Sequence, residues 1–387
     1  MGSTPKQQTA RYHLISFLLI FMGLFVACNI YTLIPLYPII SLEWSTPITS
    51  IVGGSTSFMF CYAVGLLLFG PISDQWGRKT VIVIGMLLFS ITSLFVAFSE
   101  QPSTLLVTRG IQGFAGGTFA PVAFAYTFEL FEGKYRTLVL ALINTGFLVA
   151  GIIGQLISST LANLLGWPSV FYFFSIVYFL LFVSSFLILP SRPRNSRNGP
   201  FVPVSEFILF IKNQSLRYSY MIAFSLLLTF VTFYDTLGAH LAGQVTPNQL
   251  FVIRSAGLIG TILSLYGGRV IHKIRLKGSL LVGLIMLIVS LTAFMIFSSF
   301  LPILFVSILL VAAISLLLPT IIMLIGILGN AARGSAISLY SFTLLTGACL
   351  GSLLTSLLAF KFVILTLLLL SIVNLLLIRK ISFPIEP

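Results

Sequence analysis

The chain has 387 residues, 58% hydrophobic and only 7% charged, with a formal net charge of +13. A soluble domain carries about 25% charged residues, so a soluble fold of this size, which would have too few charges to solvate its surface, is excluded. The positive charges sit in short turns between long apolar runs rather than on one continuous face, which argues against a nucleic-acid partner.

Taken in order, the apolar runs divide into twelve spans, near 13–36, 47–69, 80–98, 103–126, 138–162, 169–189, 217–240, 248–266, 279–298, 302–325, 335–357 and 362–378. Each is about the length needed to cross a hydrocarbon core roughly 30 Å thick. The first run is too long for a signal-peptide core, so it reads as a retained span. Cys28, Cys61 and Cys349 lie inside apolar runs without metal-ligand spacing, so neither a disulfide nor a metal is expected. The connections are short except the stretch from Pro190 to Leu216, whose Ser191-Arg192-Pro193-Arg194-Asn195-Ser196-Arg197 is polar. The expected fold is an all-α membrane protein with twelve transmembrane helices in two pseudo-symmetric six-helix bundles. Residues 1–189 form the first bundle, 190–216 a cytoplasmic linker and 217–387 the second bundle.

Orientation follows from Lys and Arg, which concentrate in cytoplasmic loops. With both termini cytoplasmic, eighteen of them fall on one face and only Lys361 on the other, while Arg109 and Arg254 lie inside spans. The expected location is a bacterial inner or plasma membrane, with many passes and both ends in the cytoplasm.

Between spans 2 and 3 lies Gly70-Pro71-Ile72-Ser73-Asp74-Gln75-Trp76-Gly77-Arg78-Lys79. Gly70 and Gly77 permit tight turns and close helix approach, Pro71 is expected to stop span 2, Asp74 supplies an acceptor, and the basic pair anchors the loop. This stretch resembles the signature loop of the major facilitator superfamily of secondary transporters, with Gly70, Asp74, Gly77, Arg78 and Lys79 on its pattern. The resemblance implies a gating loop on the cytoplasmic face. A degraded copy, Gly268 to Lys277, lies between spans 8 and 9, where Gly268 answers Gly70 and His272 stands in place of Asp74. Arg136 and Arg333 repeat in the same way, as do Gly154 and Gly351. Near-equal offsets from separate motifs indicate a parallel duplication, six spans plus six, with a substrate site expected at the interface of the halves near the bilayer midplane.

An ionisable residue in a span costs a few kcal/mol or more and is a functional candidate by default. Arg109, Asp235 and Arg254 qualify. Arg109 begins Arg109-Gly110-Ile111-Gln112-Gly113-Phe114-Ala115-Gly116-Gly117, with Gln112 on the same helix face and glycines for close packing. The run resembles the superfamily's helix 4 motif, in which the arginine is associated with proton coupling. A structural arginine bonded to carbonyls is the alternative. Asp235 is the one acid well inside a span, and Arg254 is expected at similar depth on the next, either as a static ion pair or as a titrating one. Asn29, Tyr31, Gln112, Asn144, Tyr234 and Tyr340 are candidate cavity-lining residues, each with an ordinary interhelical hydrogen bond as its alternative.

The resemblance is closest to the twelve-span drug:proton antiporter branch. It implies proton-coupled efflux of small amphipathic molecules or drugs by alternating access, in a monomer whose partners are a small-molecule substrate, protons and the lipid bilayer. A proton-coupled importer, a lipid-type flippase and a non-transporting sensor remain alternatives. Span 5 keeps Gly151 and Gly154 but has no proline and carries Gln155 where a second glycine is common, a departure from the exporter pattern. No catalytic constellation and no phosphate-binding Gly-Lys-Ser/Thr loop occurs, so neither an enzyme, a cofactor nor ATP is expected.

Overall fold

A computed structural model describes residues 5–191, 204–241 and 244–383, and the apolar runs within them are helical. Span 1 is α1 (Pro5–Tyr31), prolonged by a 3-10 turn at Ile34–Leu36 and by α2 (Tyr37–Glu43). Pro35 has no N–H to offer the Tyr31 carbonyl, and its ring crowds that oxygen, so the α-helix ends there. Spans 2 and 3 are α3 (Ile48–Trp76) and α4 (Arg78–Ala97). Span 4 is made of α5 (Pro102–Gly116) and α6 (Ala120–Leu130), span 5 is α7 (Gly133–Leu165) and span 6 is α8 (Pro168–Ile188). A short helix, α9 (Val204–Lys212), precedes span 7, α10 (Gln214–His240). Span 8 is α11 (Pro247–Gly260) continued into α12 (Ile262–Ile296), which also holds span 9. Spans 10 to 12 are α13 (Phe300–Leu328), α14 (Arg333–Leu357) and α15 (Phe360–Lys380).

Among the described residues, ten helices are each long and apolar enough to cross a membrane alone. Spans 4 and 8 complete the twelve in two pieces each. Span 4 breaks after Gly116 because Pro121 would clash with the Gly117 carbonyl in a continuous helix, and the Thr118 hydroxyl donates to the Ala115 carbonyl (2.7 Å) across the break. Span 8 breaks at Thr261, whose hydroxyl donates to the Leu258 carbonyl (2.6 Å).

The turn between spans 2 and 3 differs from expectation. Pro71 does not stop the helix; it lies inside α3, which runs to Trp76. Just beyond the proline, Ser73 Oγ donates to the Gly70 carbonyl (2.6 Å) and Arg78 Nη1 to the same oxygen (3.2 Å), which ties the end of the helix to the start of the next. Gly70 is accordingly helical, and the turn belongs to Gly77, at φ +90°. The second copy turns at the matching place. Arg275, with φ +61°, interrupts α12, and Gly77 and Arg275 are 198 positions apart, as are Gly70 and Gly268. An arginine thus takes a backbone conformation that favours glycine, so the duplication has kept the turn where its glycine has gone.

Helix packing repeats as well. A Cβ on Gly154 of α7 would lie 2.7 Å from the Cys28 carbonyl oxygen of α1, and one on Gly351 of α14 would lie 2.9 Å from the Leu228 carbonyl oxygen of α10. Spans 5 and 1, and spans 11 and 7, therefore approach backbone to backbone at matching points, as small residues allow in membranes.

The chain clusters into two units, one of Met1–Tyr126 with Gly146–Val202 and one of Thr127–Thr145 with Pro203–Pro387. In the first, α3 packs along α5 and α4 along α8. In the second, α12 packs on α13 and α10 on α14. The Thr127–Thr145 segment is held in the second unit by side chains. Phe128 lies against Gly326, with the guanidinium of Arg136 on its ring at 5.3 Å and that of Arg333 at 4.9 Å. Arg136 Nε donates to the Phe131 carbonyl (2.7 Å) and Arg333 Nε to the Gly326 carbonyl (3.0 Å), so each arginine secures the end of the span before its own.

Candidate functional site

Arg109 is fully buried in α5. Its Nη1 donates to Asn29 Oδ1 of α1 and to Gln112 Oε1 (2.6 Å), and its Nη2 to the Asn29 carbonyl (3.1 Å). The guanidinium lies over the Phe58 ring of α3 at 4.2 Å and near the Phe171 ring of α8 at 5.9 Å, positions in which an aromatic face attracts a cation. The network continues outward. Gln112 Nε2 donates to Ser93 Oγ of α4 (2.8 Å), Asn29 Nδ2 to the Tyr178 hydroxyl of α8 (3.2 Å), and that hydroxyl to the Phe25 carbonyl (2.8 Å). Side chains from α1, α3, α4, α5 and α8 thus converge on one cation. Its partners are uncharged, and the ion pair recorded among the described residues lies elsewhere.

Glycines make this convergence possible. A Cβ on Gly113, one turn along α5, would sit 2.2 Å from the Phe58 carbonyl oxygen, so only glycine lets α5 lie against α3 there. The sequence pointed to Asn29, Arg109 and Gln112. It missed Ser93 and Tyr178, because Ser and Tyr are ordinary residues of membrane helices and nothing in the local pattern marks these two.

In the second unit, the Tyr234 hydroxyl lies 3.0 Å from Ser307 Oγ of α13, which donates to the Ile253 carbonyl of α11 (3.1 Å). Arg254 Nη2 reaches the Tyr234 carbonyl at 3.5 Å. The α10 and α11 helices therefore meet at the level of Tyr234, Asp235 and Arg254. Asp235 and Arg254 are both on exposed helix faces.

The remaining candidates scatter. Asn144 is buried, and its Nδ2 donates to the Leu140 carbonyl of its own helix (2.9 Å). Tyr31 is half-buried, with its ring about 3.6 Å from a Cβ placed on Gly151. Tyr340 is fully buried in α14. In the signature loop, Arg78 is buried and pairs with Asp74, while Ser73 also accepts from it. Lys79 lies over the Phe186 ring at 5.5 Å. Arg192, Arg194 and Arg197 of the linker lie outside the described residues. No three His, Cys, Asp or Glu side chains among the described residues gather as a metal site would require.

Twelve spans built by duplication, with polar and ionic side chains planted inside them, are the architecture of a membrane carrier. The sequence profile of the Major Facilitator Superfamily matches residues 19–275. The chain belongs to that family: it is a multi-pass integral membrane protein, and its twelve spans form the family's two bundles. It is 29% identical over 118 residues to Multidrug resistance protein 3 of Bacillus subtilis, covering 30% of this chain and 23% of that protein. It is 27% identical over 183 residues to the Bicyclomycin resistance protein homolog of Haemophilus influenzae, covering 46% of each. It is 28% identical over 243 residues to the Inner membrane transport protein YnfM of Escherichia coli, covering 61% of this chain and 57% of that protein. The chain matches less than two thirds of the length of each of these relatives.

Proposed function

We propose that this chain is a proton-coupled exporter of small amphipathic molecules, working as a monomer with both termini in the cytoplasm. Bundles 1–189 and 217–387, joined by the 190–216 linker, rock about a central site. Two relatives named for drug resistance support export. The observation that carries proton coupling is Asp235: it is the one acid well inside a span, it lies on an exposed face, and a cation on the neighbouring helix reaches the carbonyl beside it. A carboxyl there exchanges its charge for a proton, and that exchange biases the balance between inward-open and outward-open states. Arg109 does not lose its proton in a protein; it contributes a fixed charge held by Asn29 and Gln112. Arg254 keeps the surroundings of Asp235 positive. Asp74 with Arg78 gates the cytoplasmic side through the Gly70–Lys79 loop, while Tyr31, Asn144, Tyr234 and Tyr340 line the path.

Two arginines against one aspartate leave the spans net positive, which favours neutral, zwitterionic or anionic amphiphiles over plain cations. A substrate screen in proteoliposomes with an imposed pH gradient tests the reading. Accumulation against the proton flow, abolished when the gradient is collapsed, is expected. Accumulation in the same direction as the protons identifies an importer, and flux indifferent to the gradient removes the coupling.

A further inference from the structure

The transport cycle gives α9 no task, yet its outer face is unusual. The helix packs on α10 and α14, and its half-buried side chains are Phe207 and Phe210, one turn apart. Away from them, Ile208, Leu209 and Ile211 are 47%, 63% and 49% exposed. Most exposed aliphatic residues elsewhere lie along spans, where acyl chains cover them. The α9 helix stands outside the spans, ahead of the start of span 7, so its cover must come from somewhere else. Its surroundings are cationic: Lys212 ends α9, Arg217 follows in the first turn of α10, and Arg379 and Lys380 form the last turn of α15, all four exposed. The Ser382 N–H donates to Ser215 Oγ (3.0 Å), which joins the end of α15 to the start of α10. The Arg217 guanidinium lies over the Tyr218 ring at 5.4 Å. One acid, Glu206, offsets these four cations in the sequence of α9.

We propose that α9 docks on anionic phospholipid at the surface of the leaflet it faces. Ile208, Leu209 and Ile211 enter the boundary between headgroups and acyl chains, and Lys212, Arg217, Arg379 and Lys380 meet the headgroup charges. A short helix whose exposed aliphatic side chains stand among basic residues binds a bilayer surface in this way, and the anionic leaflet attracts such clusters. The long Lys and Arg stems lie along the apolar surface while their charged ends reach the headgroups. Docking of this kind fixes the start of span 7 at the membrane surface, whatever the direction or coupling of transport.

The test uses the full-length protein in nanodiscs. Leu209→Trp, with Ile211→Trp as a second reporter, adds one indole to a native set of three tryptophans, whose emission in the unsubstituted protein is subtracted. The added emission is expected to be quenched by lipids brominated on their acyl chains, at least two-fold more by brominated phosphatidylglycerol than by brominated phosphatidylcholine at equal mole fraction. Replacing Lys212, Arg217 and Lys380 together by Gln should erase that preference while leaving quenching itself. No quenching by either lipid overturns the proposal, because the face then meets water, another part of this chain or another protein. Equal quenching by both lipids overturns the anionic selectivity at its centre.

Discussion

A cation buried among uncharged partners sets the residue scale. Hydrogen bonds to charged groups are worth about 1.5–3 kcal/mol, and a buried donor left without its acceptor costs a similar amount or more, so Asn29 carries a disproportionate share of this cluster. Asn29→Leu removes an acceptor from Arg109 and the donor to Tyr178. It should cost about 2–3 kcal/mol of stability, read as a lower unfolding temperature in detergent. Asn144→Leu loses only a bond to a carbonyl of its own helix and should cost less than about 1 kcal/mol. Equal losses at the two sites would reduce Asn29 to an ordinary polar lining residue. Arg109, Asn29 and Gln112 were legible in the sequence because a polar residue in an apolar run declares itself by its desolvation cost. Ser93 and Tyr178 were not, since their role depends on contacts 19 and 149 residues away in sequence with Gln112 and Asn29.

At the scale of elements, the spans themselves were legible because length and hydropathy are fixed by the bilayer, but their breaks were not. Pro71 was expected to end a helix and sits inside one: it removes only the bond to the Leu67 carbonyl, a loss that a membrane helix tolerates when its surroundings compensate, and local sequence does not show those surroundings. Pro121 was overlooked within span 4, where it does divide the helix. Glycine was the more reliable sign. Gly154 and Gly351 were paired as repeats from their spacing alone, and both are close-approach points between matching spans. Gly154→Leu and Gly351→Leu should therefore each destabilise the protein by about 1–3 kcal/mol through overpacking, measured by thermal unfolding. If one is tolerated and the other is not, the two contacts are not equivalent and the repeat ends at the level of topology.

For the whole molecule, the proposed orientation rests on the distribution of Lys and Arg and the two-bundle plan on the duplication; neither depends on any single contact. Thiol labelling of Ser196→Cys and Gln101→Cys in intact cells, with a reagent that does not cross membranes, should modify only the Gln101 position. Labelling at Ser196 from outside would invert the topology. What the sequence did not reveal is α9, because a nine-residue helix between long spans is too short to stand out and its exposed face is visible only once Phe207 and Phe210 are seen turned inward. The transport account rests most heavily on Asp235, and it is tested most directly by Asp235→Asn in proteoliposomes. Asp235 lies on an exposed face, and Arg254 keeps its bond to the Tyr234 carbonyl when the acid is removed, so the variant should fold. Accumulation driven by a pH gradient should fall at least ten-fold, whereas counterflow exchange of substrate, which needs no net proton movement, should persist near the wild-type rate. Gradient-driven accumulation at the wild-type level in Asp235→Asn would contradict the account.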